Sequence, residues 1–248
     1  MRHRNIRSRA QVRADYDQSA RDYDKVRFGS VGGQYVNQRE VEFVASVIQG
    51  STVLEIGTAT GRFAECLIEK GAEYIGVDLS LKMLRATRER TEHSASVVQM
   101  DGCSLGFRGS FDYALCIRTF HFLPKPVEAL QGMLTALKDS GECLVTFETD
   151  NFLRRFLLFF GIGVSEQYYY RISDVEEMFQ KAGFRIARSG SIMRMPVTLY
   201  RRCPNHLLWI LRRLERLWPW PMHDYVLGTR QSDRNPNHGF LTNSQVIL

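Results

Sequence analysis

"VLEIGTATGRF", residues 53–63, sets an apolar run directly before a turn built from Gly57 and Gly61. The run has the length of a buried strand, and residues 61–70 carry helical periodicity until Gly71 stops them. Strand, glycine turn and helix in that order form the first half of a strand–helix–strand unit. Glycine permits the tight bend and lets a ligand approach the backbone. The helix start leaves amides without partners.

The alternation continues outward from this stretch. Residues 39–49 read as a helix before the first strand. "EYIGVDL" reads as a second strand, and Ser80 caps a helix to about Arg90 with Leu81, Leu84 and Thr87 on one face. "ASVVQMD" and "FDYALCI" follow as third and fourth strands. Pro126 opens a helix to about Leu137, and "SGECLVTFE" is a fifth strand. Strands that alternate with helices lie parallel and are joined by right-handed crossovers. The expected fold class is therefore α/β, a doubly wound, mostly parallel sheet. Beyond residue 150 the pattern changes. "NFLRRFLLFFGIGV" is an apolar insert, "SDVEEMFQKAGF" a capped helix and "FRIARSGSIM" a strand. "NHLLWILRRLERLW" is a basic amphipathic helix, "HDYVLGTRQ" a last strand, and the tail from 231 is polar.

Ligands of such sheets sit at the carboxyl ends of the strands. A dinucleotide fingerprint counted from Gly57 fails at Ala59 and Arg62, and no Gly-Lys-Ser/Thr follows to cradle phosphates. Glu55 lies two residues before Gly57, where a carboxylate repels phosphate and suits a cationic or amino-bearing ligand. Asp78 closes the second strand and can accept both hydroxyls of a ribose.

The segments "VLEIGTATGRF", "YIGVDLSLKML", "VVQMDG" and "FDYALCIRTFHFL" resemble the successive motifs of class I S-adenosylmethionine-dependent methyltransferases. The resemblance covers roughly residues 40–150. It implies a seven-stranded Rossmann-like sheet with helices on both faces, S-adenosyl-L-methionine as cofactor and no metal. It places the first loop (Glu55, Gly57, Thr58, Ala59, Gly61) on the methionine and sulfonium part, and Asp78, with Leu79 and Met83, at the ribose. Asp101, Gly102 and Cys103 fall by the adenine, and Cys116 to Thr119, Arg118 among them, on the methyl-donor side. The family often carries Gly where this chain has Ala59, whose Cβ narrows the loop. "VRADYDQSARDYDKVRF", residues 12–28, is similar to the N-terminal lid helix of the quinone-biosynthesis-like branch. That similarity sets Tyr23, and also Tyr16, against cofactor or acceptor; the alternative is an amphipathic helix whose tyrosines pack on the sheet.

Methyl transfer needs donor and acceptor in line, and a base only if the acceptor must lose a proton. His121, in "RTFHFL", is the candidate base, with a wall position as the alternative. Arg118 either binds an acidic acceptor or pairs with a local carboxylate. Phe122, Glu148, Phe152 and Tyr169 complete the candidate acceptor residues.

The expected organisation is a basic arm and lid helix over 1–38 and a methyltransferase domain over 39–230. The domain carries an α-helical cap from an insert at about 151–172 and an amphipathic helix at about 205–218; a loose tail occupies 231–248. The net charge of +6 is uneven: residues 1–27 hold eight Arg/Lys against four Asp, and 185–216 hold eight Arg against one Glu. An anionic partner follows, and charge alone does not select it. Five scattered cysteines without a metal-ligand spacing exclude an ordinary zinc site and fit a reducing, cytoplasmic setting. The cap's aromatic residues point to a greasy pocket and a hydrophobic small-molecule acceptor, lipid- or quinone-like, methylated on O or C. Leucines and arginines of 205–218 also read as an interfacial helix, which leaves peripheral membrane contact open beside a cap that buries its leucines. An RNA methyltransferase and a catalytically silent cofactor-binding subunit stand as alternatives. Oligomeric state is unspecified.

Overall fold

The computed structural model describes residues 7–49, 52–160 and 167–230. The first residues of the basic arm, part of the insert and the tail from 231 lie outside these. Seven strands form one sheet in the order β3-β2-β1-β4-β5-β7-β6. They are β1 (Thr52–Ile56), β2 (Glu73–Asp78), β3 (Ser96–Gln99), β4 (Phe111–Cys116), β5 (Leu137–Glu148), β6 (Phe184–Met193) and β7 (His223–Arg230). β1 pairs in parallel with β2 and β4, and the parallel set extends through β3 and β5. β7 runs antiparallel between β5 and β6. Strand order reverses between β1 and β4, which puts a crevice at their carboxyl ends.

Helices cover both faces, so the middles of the central strands are apolar on both sides. Leu54, Ala114, Cys143 and Val145 point into one core beside Leu130, Met133 and Phe179. Their chain neighbours Val53, Leu115 and Leu144 point into the other, beside Phe63, Leu67 and Val36. α4 (Arg62–Glu69), α5 (Leu81–Arg90), α6 (Pro126–Ala136) and α8 (Ile172–Ala182) fall where the periodicity placed them. The Ser80 hydroxyl accepts from the Met83 amide, and Gly183 ends α8 in a left-handed conformation.

Three elements differ from the sequence expectation. The lid splits into α1 (Arg9–Ser19) and α2 (Tyr23–Phe28), bent at residues 20–22. Tyr16 and Tyr23 therefore sit on separate helices, with ring centroids 6.0 Å apart. α3 spans Val31–Val47 and starts eight residues before the expected 39, so it crosses the expected lid boundary at 38. Gly32 and Gly33 argue against a helix locally. Tertiary packing requires them, because a Cβ on Gly32 would collide with the Tyr200 carbonyl on α9 (Val197–Arg202). The 205–218 helix is interrupted: α10 covers only Leu208–Leu214, between two 3-10 turns. Leu208 is buried but Leu214 and Leu217 are exposed, so the leucines do not form one buried stripe.

Candidate active site

The β1 turn is built by its glycines. Gly57 has φ +76, and a Cβ there would strike the Thr119 side chain. Gly61 has φ +75 and heads α4, where a Cβ would come within 2.8 Å of Thr87. Ala59 also takes a left-handed φ of 50. That conformation disfavours any residue with a Cβ and explains the family's glycine at this position. The bend is pinned to β2: the Ala59 amide donates to the Asp78 carboxylate at 3.0 Å, and the Ser80 amide donates to its other oxygen at 2.9 Å. Burial nevertheless pushes the Asp78 carboxyl up from its ordinary value.

Above the strand ends lies a cavity of about 1170 Å³, measured to include its open mouth. Its floor carries Glu55, Gly57, Thr58, Ala59, Asp78 and Leu79. Met100, Asp101 and Gly102 form one end, and Ile117, Arg118, Thr119 and Phe122 the opposite side. The lid roofs it with Val12, Tyr16, Tyr23, Arg27 and Phe28. Tyr16 packs on Phe122 with centroids 6.0 Å apart, and burial raises its hydroxyl to about 12. A neutral phenol at this depth donates a hydrogen bond and does not act as a base.

The sequence reading missed what holds the lid. Each of the repeated Tyr-Asp pairs sends its tyrosine into the cavity and its aspartate to the rim. Asp17 accepts from the Ser80 hydroxyl at 2.6 Å; Asp24 accepts from Thr60 at 2.8 Å and from Arg90 at 2.5 Å. Arg9 pairs with Asp101. The repetition itself was the available signal.

Glu55 lines the cavity but sits beneath Tyr74, whose hydroxyl donates to it, while Thr58 lies 2.6 Å from that hydroxyl. Burial raises its carboxyl to about 8, so it is protonated at neutral pH until a cation approaches.

Several expected residues lie elsewhere. His121 is buried outside the cavity wall, its Nδ1 has no hydrogen-bond partner, and burial pushes it down to about 3. It stands behind the lining and not in it. Arg118 lines the cavity, yet its guanidinium donates to Glu40 at 2.8 Å and Glu148 at 3.3 Å. The local-carboxylate alternative therefore holds for it. Glu148 faces Arg118 and Arg154, not the cavity, and those cations hold it at about 2. Arg62 reaches the same buried Glu40 at 2.6 Å. Met83 and Cys116 are fully buried in the core, and Cys103 and Gly61 stand behind the lining. Phe152 is 73% exposed and Tyr169 stacks with Arg154, so neither touches the cavity. Of the expected greasy cap, Phe152, Phe156, Phe159, Phe160 and Trp209 are exposed and Tyr170 is buried in the core; the apolar wall comes from the lid and from residues 122–124.

Comparison with known proteins agrees with this geometry. Residues 54–145 match the methyltransferase-domain family. An uncharacterized methyltransferase of Alkaliphilus oremlandii is 25% identical over 190 residues, 68% of this chain and 87% of that protein. The ubiquinone biosynthesis O-methyltransferase of Chromobacterium violaceum is 25% identical over 113 residues, 43% of this chain and 49% of its own. The chain thus matches about half the length of that relative. The solved magnesium protoporphyrin IX methyltransferase of Synechocystis, with bound SAH, superposes with TM-score 0.67 at 16% identity, covering 90% of this chain and all of that one. The cyclase SpnF superposes with TM-score 0.66 at 19% identity, over 91% of this chain and 97% of its own. Residues 54–145 thus match the methyltransferase-domain family, and the chain shares the fold of solved S-adenosylmethionine-dependent methyltransferases. The residues present fit S-adenosylmethionine: a glycine turn that lines the cavity, and a carboxylate fixed at the second strand tip.

Proposed function

We propose that this chain transfers a methyl group to a small acceptor that combines an apolar, aromatic-sized body with an acid group. The supporting observation is the roof of the cavity, where Tyr16, Tyr23, Phe28 and Phe122 alternate with arginines. Arg27 lies over the Tyr23 ring at 4.6 Å, and neither it nor Arg13 meets a carboxylate among the described residues. Two uncompensated cations over an aromatic wall favour an anionic ligand.

S-adenosylmethionine, when bound, supplies a methyl group already activated by its sulfonium. Asp78 would hold the ribose hydroxyls, and Asp101 and Gly102 the adenine end. Gly57 to Ala59 would take the methionine part. Glu55 would ionise as the positive charge arrives. The chain's remaining work is alignment and exclusion of water, both served by the clasped lid. Among the described residues no histidine, lysine or cysteine lines the cavity. An acceptor that brings its own lone pair, as a carboxylate or an acidic phenolate does, suits such a lining.

The test is a cell extract incubated with methyl-labelled donor and divided into organic, aqueous and RNA fractions. Label in the organic phase, with the unmethylated acceptor extractable only from acid, supports the reading. Label in RNA alone overturns it. That outcome would favour a role like the one named for a Xenopus tropicalis relative, a tRNA methyltransferase 27% identical over 135 residues.

A further inference from the structure

α7 (Phe152–Phe159) and the segment around α10 leave large apolar side chains in solvent. Phe159 is 82% exposed, Leu217 81% and Trp209 57%. Phe156, Phe159 and Phe160 stack on one another and not on the core, with centroids 4.9 and 5.2 Å apart. The start of α7 is tied to the chain that follows α10. Asn151 caps α7 and donates to the Pro221 carbonyl, and Arg154 donates to the Met222 carbonyl at 2.9 Å. Trp220, next to Pro221, is itself 38% exposed.

Charge on this face has one sign. Between Met195 and Met222 the chain has five arginines and a single acid, Glu215. Glu215 is buried, accepts from the Arg194 amide at 3.1 Å and pairs with Arg39 at 3.6 Å, so it contributes nothing outward. Arg202, Arg212, Arg213 and Arg216 are exposed among the apolar residues. On α7, Arg155 is matched by Asp150 at 2.5 Å and Arg154 by Glu148. No helix among the described residues is long and apolar enough to cross a membrane. Exposed aromatic and leucine side chains set among unmatched arginines are what an anionic bilayer surface accommodates. The apolar groups enter the acyl boundary and the guanidinium groups meet lipid phosphates. A second protein copy would instead have to bury the arginines against each other.

We propose that this face docks the protein on anionic membranes, peripherally and reversibly. The test is co-sedimentation of the full chain with phosphatidylcholine vesicles, with and without phosphatidylglycerol. Binding is expected only with phosphatidylglycerol and is expected to weaken as salt rises. Replacing Arg202, Arg213 and Arg216 by Gln should lower the partition coefficient by about fivefold each, on the order of a hundredfold together. Trp209→Ser with Leu217→Ser should weaken it too, and the remaining binding should keep its salt dependence. The wild-type comparison of the two vesicle compositions decides without any variant. Equal binding to both, or binding to neither, overturns the proposal. So does a concentration-dependent dimer that the Trp209/Leu217 pair dissolves, which would make the face an interface between two copies.

Discussion

Glu148 offers the sharpest test of how the strand-tip charges are used. Its carboxylate is buried, 2.5 Å from Arg154 and 3.3 Å from Arg118. Those cations outweigh the cost of burial and hold it at about 2, against an ordinary 4.5. At roughly 1.4 kcal/mol per tenfold change in proton affinity, that gap corresponds to about 3 kcal/mol of stability at neutral pH. The figure agrees with the ~3–5 kcal/mol lost when one partner of a buried pair is removed. It is a large part of the ~5–15 kcal/mol that holds a typical domain together. Glu148→Gln keeps the shape, removes the charge and leaves Arg154 unmatched. Urea unfolding at neutral pH should show a loss of about 3 kcal/mol. A depressed carboxyl stabilises only above its unfolded value. The difference between wild type and variant should therefore shrink as pH falls from about 4.5 towards 2. A loss below about 1 kcal/mol, the worth of an exposed pair, would refute the buried-network assignment. A loss that stayed constant down to acid pH would refute it equally. A raised acceptor KM with unchanged stability would return Glu148 to the acceptor site.

Four further outcomes follow from the site. Asp78→Ala should weaken S-adenosylhomocysteine by about ten- to a hundredfold in calorimetry, since hydrogen bonds to a charged group are worth ~1.5–3 kcal/mol; unchanged affinity would remove Asp78 from the ribose. Ala59→Gly relieves a left-handed residue and should stabilise the protein by up to about 1 kcal/mol in thermal melts; a destabilised variant would mean that the Cβ packs usefully. Glu55 is raised to about 8, so the wild type loses stability as pH climbs from about 4.5 to 8. Glu55→Gln should gain relative to wild type across that window, and parallel stability curves would contradict the neutral carboxyl. His121, lowered to about 3 by burial, costs stability as pH falls from about 6.5. His121→Asn should keep its activity at neutral pH, and a collapse of kcat in a well-folded variant would restore it as a base.

The sequence by itself carried the parallel sheet, because both faces of β1, β4 and β5 are buried and leave long apolar runs between helical periods. It carried the donor loop as well: glycines at Gly57 and Gly61 and an acid at Asp78 are local demands of one bend. Capping at Ser80 and Gly183 was legible for the same reason. Tertiary structure decided whatever depends on which groups meet across the fold. α3 takes Gly32 and Gly33 because α9 presses on the first and α2 on the second. Glu40, Arg62, Arg118, Glu148 and Arg154 are distant in sequence, and only the closing of the sheet gathers them into one buried network. That network holds Arg118 and Glu148 in buried ion pairs, which spacing along the chain does not announce. Periodicity shows that a helix has an apolar side but does not name what covers it. That is why the phenylalanines of α7 read as a pocket wall in the sequence and stand exposed in the fold.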